Sequence, residues 1–199
     1  MRETGARTLG AVARVQTENP SQYNDNQGLY PANNSLATGL REIALLIKAG
    51  VGMRAACIDV GGWDLHDNLG TPTNGAMRNN LLGLGGSLGA FHQDLGARMS
   101  EVTVVVISEF GRTIDVNGSA GTDHGRGSCC FVMGGNVNGG LYGAYPSGPL
   151  APGPEGDLAV TTDVRTVLAE VLKDRCGATN LGTIFPTYNT NTPALGLVS

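Results

Sequence analysis

Two stretches of this chain concentrate side chains that bind metals and anions. The first is Gly61-Gly62-Trp63-Asp64-Leu65-His66-Asp67-Asn68. The second runs from Ser108-Glu109-Phe110-Gly111-Arg112-Thr113 to Gly121-Thr122-Asp123-His124-Gly125-Arg126-Gly127. Carboxylates mixed with imidazoles, with no Cys-x-x-Cys spacing anywhere in the chain, suit Zn, or Mn or Mg, better than a thiolate-based structural zinc. The candidate metal ligands are Asp64, His66, Glu109, Asp123 and His124. Arg112 and Arg126 are the catalytic candidates, because a guanidinium fork matches phosphate or sulfate oxygens in pairs. Each residue also has a plain structural use. Asp67-Asn68 is turn chemistry, Glu109 can cap a helix, and Arg112 can pair with it. Their concentration favours function: two of only three histidines fall in these stretches, which packing alone does not require.

The surrounding pattern must position these groups. From Ser35, a plausible N-cap, the apolar residues Leu36, Leu40, Ile43, Ala44 and Ile47 share one helical face, which Gly50 ends. Arg54 to Val60 reads as a short strand buried on both sides, leading into the first polar stretch. A second helix is expected from about Gly75 to Met99, with Leu81, Leu84, Leu88, Phe91, Leu95 and Met99 at spacings of 3 and 4. Val102 to Ile107 is the most strand-like run and delivers the second polar stretch at its end. Ser128 to Met133 reads as a further strand, Leu141 to Gly156 as an irregular loop, and Val164 to Leu172 as a helix capped by Asp163 or Thr162. The alternation predicts an α/β fold, a layered and mainly parallel sheet with flanking helices. Residues 1–35 read as an irregular N-terminal segment that needs another surface to order it, and 36–199 as the main domain.

Composition narrows the partners. The 199 residues are 41% hydrophobic, enough for a real core, and carry 17 acids against 13 bases for a net charge of -4. No nucleic-acid footprint follows from that balance, and no apolar run is long enough to span a bilayer. The start Met1-Arg2-Glu3-Thr4-Gly5 is not a signal peptide, so the chain as written is expected in the cytoplasm. The 31 glycines cluster beside the motifs and read as tight backbone approaches. Cys57, in its apolar strand, reads as a small buried hydrophobe.

The run from Leu36 through Gly-Gly-Trp-Asp-Leu-His, Ser-Glu-Phe-Gly-Arg-Thr, Gly-Thr-Asp-His-Gly and Val-Met-Gly-Gly-Asn-Val-Asn-Gly-Gly resembles the bacterial family catalogued as domain of unknown function 1501. The resemblance covers about residues 36–175. It implies the alkaline phosphatase and sulfatase superfamily, whose members hold two metal ions at the edge of a parallel sheet and are in full length often exported. On that resemblance Asp64 and His66 stand near an Asp and a His ligand, Glu109 takes the place of an Asp-His strand end, and His124 matches a later histidine ligand. Glu109-Phe110 departs from that Asp-His pattern. The resemblance also implies a C-terminal portion of the domain, an incomplete fold that pairs with a missing N-terminal half or forms an oligomer.

The expected function is metal-dependent hydrolysis of a small anionic ester, phosphate or sulfate, with a divalent metal, zinc first. The alternative is a non-catalytic metal-binding or protein-binding scaffold on the same fold.

Overall fold

The computed structural model describes residues 10, 12–17, 23, 25, 28–143 and 156–199. These form two compact units. One comprises the described residues through Leu65 together with Gly70–Ala97; the other comprises His66–Leu69 with the described residues of Arg98–Ser199.

The first unit is built on two helices, α1 (Ser35–Ala49) and α2 (Ala76–Leu95), which pack against each other. α1 starts at Asn34, whose side chain accepts from the Ala37 amide, one residue ahead of the cap read from the pattern. It ends at Gly50 (φ 65°), the left-handed position that favours glycine. Leu36, Ala37, Leu40, Ala44 and Leu45 form its buried face, close to the expected stripe. α2 buries only its C-terminal half, through Ser87, Ala90, Phe91 and Leu95, while Leu81 is exposed. The expected helix to Met99 finishes instead as a 3-10 turn, Gly96–Glu101. Between these helices, the side chain of Asp94 is almost wholly buried and accepts from Tyr23 Oη at 2.9 Å, Tyr30 Oη at 2.9 Å and Lys48 Nζ at 2.5 Å. Burial first, then the Asp94 carboxyl group, pushes the Tyr30 phenol above its ordinary range. Tyr23 and Tyr30 are thus tied to the helices by polar bonds, the surface that the polar N-terminal segment was expected to need. Within the segment read as irregular, residues 10 and 12–17 are helical.

In the second unit the strands are β1 (Thr103–Val106), β2 (Gly111–Arg112), β3 (His124–Gly125) and β4 (Phe131–Gly134), followed by helices α3 (Val164–Cys176) and α4 (Leu181–Ile184). Two of the three expected strands form, Val102 to Ile107 as β1 and Ser128 to Met133 as β4, but the expected parallel sheet does not. β1 pairs antiparallel with β4, from Thr103 opposite Gly134 to Val106 opposite Phe131, and β2 pairs antiparallel with β3. A layered, mainly parallel sheet is therefore incorrect for this chain; it has two small antiparallel two-stranded sheets. The reason lies in the connection. Parallel neighbours need a crossover, usually helical, and residues 107–130 hold no helix, so the chain returns antiparallel. Residues 54–60 form no strand either, and Arg54 to Cys57 are exposed, which also corrects the buried reading of Cys57. A short apolar run specifies burial on average and carries no information about a partner strand.

α3 caps on Asp163, whose side chain accepts from the Arg165 amide, and stops at Gly177. Val167 of α3 packs with Leu197 and Val198, and Cys130, Val132, Val171 and Leu195 surround them. The C-terminal residues, which show little periodicity, are held by hydrogen bonds: Glu170 Oε2 accepts from the Leu195 amide at 2.7 Å and Oε1 from the Val198 amide at 3.1 Å. Of the irregular loop read over Leu141 to Gly156, residues 144–155 lie outside the described ones.

A second tie closes the motif-bearing segment. Asp157 is buried and receives Arg126 through Nε at 2.9 Å, Nη2 at 3.1 Å and the Arg126 backbone amide at 2.7 Å. These bonds, the side chain of Arg126 first, hold the Asp157 carboxyl at about 2. A depressed carboxyl stabilises the fold above the ordinary carboxylate range, near about 4, and loses that contribution as pH falls through its folded value. Asp157→Asn should therefore melt below wild type by a constant interval above pH about 4, and the interval should close as pH falls toward about 2. Melting curves across that range check it; an interval independent of pH would refute the ion-pair account.

Candidate functional site

Within the second unit, His66 and His124 come together although 57 residues separate His66 from Asp123. The segment His66–Leu69 is stitched to 117–121 by backbone bonds: Asn68 donates to the Ser119 carbonyl at 3.1 Å and Leu69 to the Ala120 carbonyl at 2.9 Å. Asn117 organises the loop. Its Oδ1 accepts from the amides of Ser119 and Gly121, and its Nδ2 donates to the His66 carbonyl at 2.9 Å and to Asp123 Oδ1 at 3.1 Å. Thr113 then pairs with Asp123, its amide donating to the Asp123 carbonyl and its hydroxyl accepting from the Asp123 amide. This leads directly into the β2/β3 register of Arg112 opposite His124.

The side chains meet as follows. His66 Nδ1 lies 3.0 Å from Asp123 Oδ1, and both groups are about half exposed. The His66 bond, then that of Asn117, holds the Asp123 carboxyl below its ordinary range. An ionised carboxylate only accepts, so Nδ1 carries the proton in this bond. The rings of His66 and His124 are 4.9 Å apart at an angle of 36°, and one ring nitrogen of each lies within 4.8 Å of the other. Phe110 stacks on His124, centroids 4.0 Å apart and planes 14° from parallel. The Arg112 guanidinium carbon lies 4.9 Å from the Phe110 ring centre, and Nη1 donates to the Thr122 carbonyl at 2.8 Å. The Thr122 hydroxyl is buried with no hydrogen-bond partner among the described residues.

Of the residues named from the sequence, the fold joins His66, Asp123, His124 and Arg112 in one cluster. Asp123 bonds the ring of His66, the place of the carboxylate that commonly orients a metal-ligating histidine. Glu109 is exposed on the bend between β1 and β2 and is not grouped with the two imidazoles. Arg126 is engaged by Asp157. Asp64 is exposed, belongs to the first unit and precedes His66 by two residues. His92 is an exposed residue of α2. Two residues had no assigned role in the sequence reading. Asn117, in Asn-Gly-Ser, carries a turn signal that marks the loop but not its reach to His66. Phe110 carries no polar atom and gives no signal of its own.

A family model described as Protein of unknown function (DUF1501) matches residues 5–170. The chain belongs to the DUF1501 family. The match begins well ahead of Leu36, where the motif resemblance starts, so it takes in the segment carrying Tyr23 and Tyr30. No curated protein and no solved structure matches this DUF1501 chain. No helix among its described residues is long and apolar enough to cross a membrane.

Proposed function

We propose that this DUF1501 chain binds a divalent metal, zinc first, through His66 and His124, and that the site serves hydrolysis of a phosphate or sulfate ester. The observation that carries this reading is the pair of adjacent imidazoles, one of them bonded by Asp123 through Nδ1. That donor set fits zinc, or Mn or Mg less well, because neutral imidazole nitrogens are borderline ligands and a carboxylate behind one of them raises its basicity. Asp64, two residues before His66 in the chain, is a further ligand in this reading on sequence spacing alone. Asp123 positions His66. Bound there, a divalent ion would polarise an ester oxygen and lower the pKa of a coordinated water. Arg112, opposite His124, is the cation nearest to hand for an anionic substrate. The grouping of the DUF1501 family with the alkaline phosphatase and sulfatase superfamily is the reason for naming those two ester classes.

A scaffold role is favoured by one feature: Arg126, the second candidate oxyanion clamp, is committed to Asp157. Equilibrium dialysis against zinc, followed by phosphate- and sulfate-ester hydrolysis before and after chelation, separates the readings. The expected result is retained zinc and chelator-sensitive turnover. Zinc without turnover supports a metal-binding scaffold; no retained zinc rejects the hydrolase and the metal-binding scaffold and leaves the protein-binding scaffold.

A further inference from the structure

We infer that Phe110 is a positioning residue, the plate against which the His124 imidazole is held for metal binding. The inference rests on the metal reading of the site and adds a residue that ligand chemistry alone would never select.

His124 is exposed and sits in a strand of only two residues, and the Phe110 ring stacks on its imidazole. An unrestrained imidazole gives up its side-chain freedom on binding a metal, and that loss weakens the complex. Stacking on Phe110 at 4.0 Å removes much of that freedom beforehand, since the ring can leave the plate only by losing an aromatic contact. Phe110 has no lone pair to offer an ion. Its position immediately before β2 is what counts.

The backbone makes the placement reproducible. Gly111 pairs with Gly125 and is buried, and a Cβ on Gly111 would run into the Gly127 backbone. Such close packing leaves little room for β2 to shift its register against β3, so residue 110 stays beside residue 124. The Arg112 guanidinium, also over the Phe110 ring, adds a cation–π contact that holds the plate itself. Phe110 is thereby contacted by both residues of the Arg112/His124 cross-strand pair.

The test compares wild type with Phe110→Ala, Phe110→Leu and Phe110→Tyr. Two readouts are needed: the NMR shifts of the His124 ring protons in metal-free protein, and zinc affinity by competition titration. The stacked ring should move the His124 resonances upfield in wild type and in Phe110→Tyr. Phe110→Leu, which keeps bulk but has no aromatic face, and Phe110→Ala should lose that shift. Both should also bind zinc about 10-fold more weakly, the size typical of losing a residue that orients a ligand. If Phe110→Ala fails to fold, Phe110→Leu decides. Wild-type shift and affinity retained in a folded Phe110→Leu would overturn the inference while leaving the metal reading intact. No zinc binding by wild type would overturn the metal reading and the metal role of Phe110, and the metal-free shifts would still show whether Phe110 holds the ring.

Discussion

Gly121→Ala is expected to destabilise the unit containing His66 and His124 by about 3 kcal/mol, the upper end for forcing an extra methyl group into a packed site. Gly121 is buried, and a Cβ there would collide with the His66–Asp67 peptide, both its carbonyl and the following amide. Backbone cannot rotate away as a long side chain can, so the strain must open the pairing between 66–69 and 117–121. That pairing carries the Asn68–Ser119 and Leu69–Ala120 bonds and holds Asn117 against the His66 carbonyl. The same change should therefore separate His66 from Asp123 and weaken zinc retention. Gly118→Ala is the control: nothing lies within 4 Å of its would-be side chain, so its effect should stay within about 0.5 kcal/mol. Urea denaturation of the two variants, with zinc titration, checks both parts. Equal stability of the two would show that the close approach at Gly121 is not tightly packed.

Glu170→Ala should cost about 3 kcal/mol for a different reason. Glu170 is 5% exposed, and its two oxygens accept the amides of Leu195 and Val198. Removing them leaves two backbone donors without partners, each costing about 1–3 kcal/mol where water cannot replace the bond. Leu197 and Val198 would then lose their hold on Val167, so loss of the C-terminal packing should accompany the drop. Glu170→Gln keeps one acceptor oxygen but turns an NH₂ group toward the other amide, and should fall between Ala and wild type. Denaturation midpoints for the three proteins decide it; wild-type stability for Glu170→Ala would mean that the C-terminal segment is held by its apolar contacts alone.

Local features were legible in the sequence for local reasons. The face of α1, its stop at Gly50, the cap at Asp163 and the strand run around Val104 each depend on neighbours within a few residues, and their chemistry is written there. The same holds for the short polar stretches that carry His66 and His124, because unusual residue types declare themselves without a fold. Family membership was legible too, since several motifs recur in order.

Pairing was not legible. Whether β1 finds a parallel or an antiparallel partner depends on the path of residues 107–130, and hydrophobic pattern does not specify a path; the expected parallel sheet failed on that point. The run 54–60 failed likewise, since β-pattern without a partner is not a strand. The roles within the cluster were also tertiary. Asp123 bonds Nδ1 of His66, and Arg126 bonds Asp157, 31 residues away, and no local pattern names either partner. Phe110 is the clearest case. As residue type it promised only packing, and the β2/β3 register, set by close glycine backbones, turns it into the surface beneath His124. Sequence alone supplies residue types and short-range geometry; which atoms meet is decided by long-range backbone hydrogen bonds, whose partners no local pattern names.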